Sequence, residues 1–148
     1  MEPSNNSSLL EAAKAGDIVT ITKLHQLNDT LITQTDKNRN NALLLAACNG
    51  HTETIVQLNT LNKDLITQTN INGSNALLLA AINGHTETVV QLNTLNKDLI
   101  TQTSIYGNNA LLLAAVNGHT ETVVELNKLN GTLITQKSNG GNLSLIHI

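Results

Sequence analysis

Residues 75–108 read NALLLAAINGHTETVVQLNTLNKDLITQTSIYGN, and this stretch decides the fold because nearly the same letters stand on both sides of it. Residues 41–74 and 109–142 repeat it with a period of 34 residues. A more polar version of the pattern occupies residues 8–40. A unit of this length cannot close a core by itself, so the sequence predicts a solenoid of four stacked units.

Each unit is expected to form two short helices followed by an extended turn. Asn75 can cap a first helix that ends at Gly84, where glycine tolerates a left-handed backbone. Thr86 can cap a second helix, with Glu87 at the positive end of its dipole. Residues 100–103 are β-prone and lead into a turn. The predicted fold class is an all-α repeat solenoid, with stacked helix-turn-helix units joined by extended β-turn loops.

Residues 73–90, GSNALLLAAINGHTETVV, resemble the ankyrin repeat in the spacing of Ala-Ala, Gly-His, Glu and an apolar pair. Three units keep this spacing, and the resemblance covers essentially residues 8–142. The unit is one residue longer than the usual length of about 33, so the repeats are a 34-residue variant. Asn-Ala-Leu-Leu replaces the family's Thr-Pro-Leu-His. We expect Asn capping and Leu packing to take the place of the Thr-His hydrogen bonds typical of the family.

The repeat boundaries predict how the chain is divided. The segments are a flexible N-terminus (1–7), an N-terminal capping repeat (8–40), three ankyrin-type repeats (41–74, 75–108 and 109–142) and an irregular tail (143–148). The tail reads LSLIHI and loses the repeat register. A truncated repeat, a sequencing artefact and an apolar strand that covers the last unit or pairs with a second copy are the alternatives for it.

Composition argues against two classes of partner. The net charge is -3 with 13% charged residues and no basic cluster, so nucleic-acid binding is not expected. Apolar runs such as residues 42–47 are far shorter than the ~20 residues of a membrane helix, so no membrane association is expected. The N-terminus does not resemble a secretory signal, and a single cysteine fits a reducing compartment. These features favour a cytoplasmic location, or the host cytoplasm for a secreted effector.

Three histidines, His51, His85 and His119, recur in register beside glutamates, which raises the alternative of a metal or catalytic site. Stacked helices lie about 8 to 10 Å apart, whereas zinc needs each ligand nitrogen within about 2.1 Å. Recurrence at a fixed period therefore favours a structural Gly-His turn. We expect no catalytic, cofactor or metal site, and no enzyme activity.

The near-identical units differ at a few positions, and the resemblance implies that these lie in the family's contact zones, the loop tips and the inner-helix surface. The predicted partner-binding residues are Lys37, Asn38, Arg39, Cys48, Ile71, Asn72, Ile82, Ile105, Tyr106 and Val116. Tyr106 is the expected anchor, because tyrosine is enriched at binding hot spots. Neutral drift at exposed turns is the alternative. Cys48 shares its register with Ile82 and Val116, which favours packing over a reactive thiol.

The resemblance implies a noncatalytic scaffold that binds a partner protein through its loop tips and concave inner-helix face. One alternative is a targeting fragment of a larger multidomain protein or of a host-directed effector, and another is a spacer with no partner. A monomer is expected, with self-association through an uncapped C-terminal end as the alternative.

Overall fold

The computed structural model describes residues 5–136 of the chain, with side chains from Leu9 onward. These residues contain eight α-helices and no strand, which confirms the predicted all-α repeat solenoid. The helices are α1 (Asn5–Ala15), α2 (Ile18–Leu27), α3 (Ala42–Cys48), α4 (Thr52–Leu61), α5 (Ala76–Ile82), α6 (Thr86–Leu95), α7 (Ala110–Val116) and α8 (Thr120–Leu129). No helix in this part of the chain is long and apolar enough to cross a membrane.

Seven of the helices form two layers. The first helix of each unit packs against the first helix of the next, so that α1, α3, α5 and α7 make one layer. The second helices α4, α6 and α8 contact one another in the same order and form the other layer. The first helices supply most of the core, and Ala46 and Ala80 are fully buried between neighbouring units. Alanine at these positions lets adjacent helices approach closely.

Asn75 begins the first helix of its unit, as the sequence predicts. Its side-chain oxygen accepts a hydrogen bond from the backbone N–H of Leu78 at 2.9 Å. Its amide nitrogen donates to the carbonyl oxygen of Leu99 at 3.1 Å and to Oε1 of Gln102 at 2.9 Å. Asn75 is fully buried, and the two bonds from its amide nitrogen join the start of the helix to the end of the same unit. Asn41 and Asn109 make the equivalent bonds in their units.

The predicted cap of the second helix is wrong. His85, not Thr86, occupies the cap position of α6, and its side chain makes no capping hydrogen bond. Thr86 is the first helical residue, and its hydroxyl lies 2.7 Å from the hydroxyl of Thr122 in the next unit. The hydroxyl has a partner across the unit boundary and is not used to cap its own helix. Glu87 lies in the first turn, where its charge is favourable to the helix dipole.

The predicted β-prone segment at residues 100–103 is also partly wrong. Residues Lys97–Thr101 form a 3₁₀ helix, and extended backbone begins only at Gln102. The Asn96 side chain accepts a hydrogen bond from the backbone N–H of Asp98 at 2.9 Å, which starts the turn. Leu99 is fully buried, so core packing and a local cap together overrule the β propensity of the sequence. Similar 3₁₀ segments close the other units at Asp29–Thr33, Leu65–Thr67 and Leu133–Thr135.

The structure describes part of the predicted N-terminal segment and none of the predicted C-terminal tail. Helix α1 begins at Asn5, inside the stretch 1–7 that the sequence assigns to a flexible N-terminus. The last repeat is described only as far as Gln136, and the tail 143–148, with its alternatives, lies outside the described residues.

Candidate protein-binding surface

Three loops join the four units, and each is a tight turn supported by its first residue. Asp36 Oδ1 accepts hydrogen bonds from the backbone N–H groups of Asn38 and Asn40, both at 2.9 Å. Asn70 plays the same part in the second loop, bonding the N–H groups of Asn72 and Ser74 at 2.9 and 3.1 Å. The loops therefore hold their shape through local polar contacts, as Asx turns do.

Backbone hydrogen bonds also tie each loop to the next. The N–H of Ile71 donates to the carbonyl oxygen of Asn38, and the N–H of Ile105 donates to the carbonyl oxygen of Asn72, both at 2.9 Å. These bonds place residues 37–39, 71–73 and 105–107 side by side along the stack, and we call these residues the tip row. The order of side chains along the tip row is thus fixed by the fold.

The seven predicted binding residues of the tip row are all exposed: Lys37, Asn38, Arg39, Ile71, Asn72, Ile105 and Tyr106. Ile71, Ile105 and Tyr106 expose 55%, 59% and 65% of their surface, although each is a large apolar or aromatic side chain. Such residues are normally covered, and neighbouring exposed ones are a mark of interaction surfaces.

The other three predicted residues lie at the C-terminal ends of the first helices. Cys48 and Ile82 are half-buried, and Val116 is exposed. The amide of Asn83 donates to the carbonyl oxygen and to Sγ of Cys48, at 3.1 and 3.2 Å, so the next unit covers part of this cysteine. The seven-residue helix between the two groups rises about 10 Å, so the tip row and these helix ends are separate parts of the surface.

Three leucines on the same helices were not predicted as contact residues. Leu45, Leu79 and Leu113 stand three positions before Cys48, Ile82 and Val116, so each shares a helix face with one of them. Leu79 and Leu113 are half-buried. The binding residues were predicted from positions that differ between units, and these three positions are leucine in every unit. Their spacing of three residues from Cys48, Ile82 and Val116 was the signal that could have identified them.

Arg39 has a strained backbone. Its φ is 66°, the one positive value among the non-glycine residues of the described chain. The equivalent positions in the next two loops are Gly73 and Gly107, with φ of 71° and 80°. A left-handed backbone costs a residue with a Cβ roughly 1 to 2 kcal/mol. The first loop therefore keeps an arginine where the same turn is made more easily with glycine.

The first loop also carries the charge of the tip row. It contains Lys37 and Arg39, whereas residues 70–74 and 104–108 contain no charged side chain. Within residues 9–136 one ion pair is formed, between Lys14 and Glu11 at 3.4 Å, so neither Lys37 nor Arg39 is paired there.

The repeated histidines hold successive units together. Nε2 of His51, His85 and His119 lies 2.7, 3.0 and 2.8 Å from a carbonyl oxygen of the preceding unit. Each ring also lies against the glycine of that unit, so that a Cβ added at Gly84 would be 2.5 Å from Nδ1 of His119. This is the structural Gly-His turn expected from the repeat. Across the described residues, no three His, Cys, Asp or Glu side chains are grouped as metal ligands.

Asp17 replaces the histidine in the first unit. Its carboxylate accepts hydrogen bonds from the hydroxyl and the backbone N–H of Thr20, at 2.6 and 3.1 Å, and so caps α2. The Thr20 hydroxyl, then the Thr20 N–H, lower the pKa of Asp17 below its ordinary value. The first unit thus uses this position to cap its own helix.

A second apolar surface lies at the C-terminal end of the stack. A groove of about 340 Å³ is lined mainly by Leu111, Ala115, Val123, Val124 and Ile134. One unit earlier, Ala81 and Val89 hold the registers of Ala115 and Val123 and are fully buried. The last unit therefore presents a surface that the third unit buries in the stack. Self-association through this end stays a prediction.

Comparison with known proteins agrees with the geometry of the units. The family model for ankyrin repeats, in three copies, matches residues 9–92 and again residues 55–138. No curated protein is significantly similar to the chain. The two matches together extend over most of the 148 residues and coincide with the stacked helix pairs. The chain therefore belongs to the ankyrin-repeat family.

Proposed function

We propose that the chain is a noncatalytic scaffold that binds a partner protein through the tip row and the C-terminal ends of its first helices. Ankyrin repeats are generally modules of protein–protein interaction, and the family is generally noncatalytic. Membership of the family supports the class of function.

The observation that carries the proposal is the tip row itself. Three large side chains, Ile71, Ile105 and Tyr106, are more than half exposed on loops that hydrogen bonds hold in shape. A partner that covered them would gain about 25 cal/mol for each Å² of apolar surface removed from water. The loss of loop entropy on binding would be small, because the loops are already structured in the free protein.

The strain at Arg39 supports the same surface. Backbone strain of this kind persists where the surrounding structure holds it, and it clusters at functional sites. In a chain whose repeats are nearly identical, the glycine of the other two loops is a ready alternative at this position. The arginine side chain is therefore favoured as a contact residue in its own right.

The proposal is tested by quantitative affinity capture with the wild-type chain and the double variant Arg39→Glu/Tyr106→Ala. We expect at least one captured protein to lose most of its binding to the double variant. Leu27→Ala, which truncates an 80% exposed side chain on α2, is the control for a general loss of exposed apolar surface. Circular dichroism checks that each variant keeps the helical fold. If every captured protein bound the double variant as well as wild type, the tip row would not be the binding site.

A further inference from the structure

The chemistry of the tip row changes along the stack. The first loop has two cations, Lys37 and Arg39, and the second and third have large apolar or aromatic groups, Ile71, Ile105 and Tyr106. Because Ile71 N–H and Ile105 N–H donate to the preceding loops, these groups lie next to one another in this order along the stack. A partner that fits the row must have matching chemistry in the same order.

The positive charge at the first loop is available to a partner. Asp36, the acidic group of the same loop, already accepts two backbone N–H bonds through Oδ1 and the Asn40 amide through Oδ2. Residues 36–40 still carry a net charge of +1, since the segment contains one aspartate, one lysine and one arginine. Near the C-terminal end of α1, Lys14 pairs with Glu11, so the two side chains add no net charge there. The remaining candidate positions, Cys48, Ile82 and Val116, are uncharged side chains.

The choice of arginine points to the kind of anion. A guanidinium presents a planar fork of N–H donors that matches a carboxylate, and it forms stronger bidentate bonds than a lysine ammonium does. The strained position is the one that holds the arginine, whereas Lys37 lies two residues away on ordinary backbone. A partner carboxylate opposite Arg39 would explain why the strain is tolerated.

The spacing of the loops sets the spacing of the partner's side chains. Packed helices of neighbouring units lie about 8 to 10 Å apart, and the tips follow the same stack. An extended polyproline II segment rises about 3.1 Å per residue and has three residues per turn, so side chains three residues apart share one face and span about one unit. We propose, building on the scaffold function above, that the tip row binds an extended segment of a partner protein in which an Asp or Glu faces Arg39. Because the Ile71 N–H donates to the carbonyl oxygen of Asn38, Ile71 lies beside Arg39, so an apolar side chain one or two residues from the acidic one faces Ile71. A second apolar side chain about three residues farther along faces the Ile105–Tyr106 pair, one unit on.

A display experiment tests this segment directly. A phage library of random unmodified peptides is selected on the immobilised full chain. We expect the enriched peptides to share an acidic residue, an apolar residue one or two positions away and an aromatic or apolar residue about three positions beyond that. Spacing of about six residues between the two apolar positions would indicate a helical partner, and enrichment without an acidic position would indicate a wholly apolar one. Either result overturns the inference, as does the absence of any enriched peptide.

Binding constants of one enriched peptide then assign its carboxylate. We expect Arg39→Glu to weaken binding about tenfold or more, because it places like charges together. Lys63→Glu, the same charge change on an exposed lysine outside the tip row, should leave binding within about twofold. A peptide with phosphoserine at the acidic position tests a phosphate as the source of the anion. If the phosphopeptide alone bound, the carboxylate assignment would be wrong.

These outcomes separate this inference from the scaffold function. A peptide affinity that is unchanged by Arg39→Glu overturns the acidic contact and leaves the capture experiment to decide the scaffold function. Loss of captured proteins with Arg39→Glu/Tyr106→Ala supports the scaffold function even if no short peptide binds. Thermal melts of each variant show whether a loss of binding comes from unfolding.

Discussion

Gly84→Ala and Gly118→Ala form a matched pair that measures the contact between units. Both glycines end a first helix with left-handed backbone, at φ of 72° and 75°. A Cβ at Gly84 would lie 2.5 Å from Nδ1 of His119 and 2.8 Å from its Cγ, whereas at Gly118 no atom of the described residues lies within 4 Å. The two substitutions share the backbone strain and differ in the collision with the next unit.

The expected losses follow from these distances. Gly118→Ala should lower the free energy of unfolding by about 1 to 2 kcal/mol, the usual cost of a left-handed residue with a Cβ. Gly84→Ala should cost about 2 kcal/mol more. Moving the His119 ring weakens its 2.8 Å bond to the carbonyl oxygen of Ile82, worth about 1 kcal/mol, and forces a packing shift worth about 1 kcal/mol or more.

Urea unfolding followed by far-UV circular dichroism measures both losses, with the slope checked because repeat stacks can unfold in stages. A third variant, Gly84→Ala/His119→Ala, removes the colliding ring. We expect it to lose less than the sum of the two single changes, because the collision is absent once the ring is gone. Equal losses for Gly84→Ala and Gly118→Ala would refute the stacking contact.

Four further predictions test other parts of the stack. Ala80→Leu should cost about 1 to 3 kcal/mol, since Ala80 is fully buried where α5 packs between α3 and α7, and an unchanged thermal melt would contradict that packing. Arg39→Gly should raise the free energy of unfolding by about 1 kcal/mol by relieving the left-handed strain, and a lower urea midpoint would show that no strain exists. Asn75→Ala should cost about 2 to 3 kcal/mol in urea unfolding, because the helix loses its cap and the buried carbonyl oxygen of Leu99 loses its donor, while Asn75→Asp should keep only the cap. Asp17 has a lowered folded pKa, so its contribution to stability should be present above the ordinary aspartate pKa and lost as the pH falls through the folded value; Asp17→Asn should remove that part of the acid dependence of thermal stability, and identical profiles would contradict it.

Local signals were enough to predict the first helix of each unit. Asn75 and Gly84 bracket the helix with side-chain capping and a left-handed stop, which depend on neighbouring residues alone. The period of 34 residues then fixed the order of the units and the buried alanines. Helix caps, helix stops and buried positions that recur in every unit could therefore be predicted from the sequence.

Contacts between units were harder to predict. Thr86 looks like a helix cap locally, yet its hydroxyl pairs with Thr122, 36 residues away. The β-prone residues 100–103 start as a 3₁₀ helix because Asn96 caps the turn and Leu99 enters the core. The hydrogen bonds that align the tip row join backbone groups of different units, so the pattern of side chains in the sequence does not predict them.

The backbone strain at Arg39 could be predicted in part, by comparing the same position in different units. The alignment of Arg39 with Gly73 and Gly107 carried the signal, because a glycine pair at one register often marks left-handed backbone. Variation between units did identify the exposed tip residues, since exposed loops tolerate substitution more readily than the core.

Photo-crosslinking from the tip row tests the central claim most directly. A photoreactive amino acid replaces Tyr106 in one chain and Leu27 in another; the two side chains are 65% and 80% exposed and lie on different parts of the surface. Each chain is irradiated in an extract of the cells that produce it. If the tip row binds a partner protein, position 106 should give a discrete protein adduct that is absent or much weaker from position 27. Equal labelling from both positions, or adducts from position 27 alone, would contradict binding at the tip row.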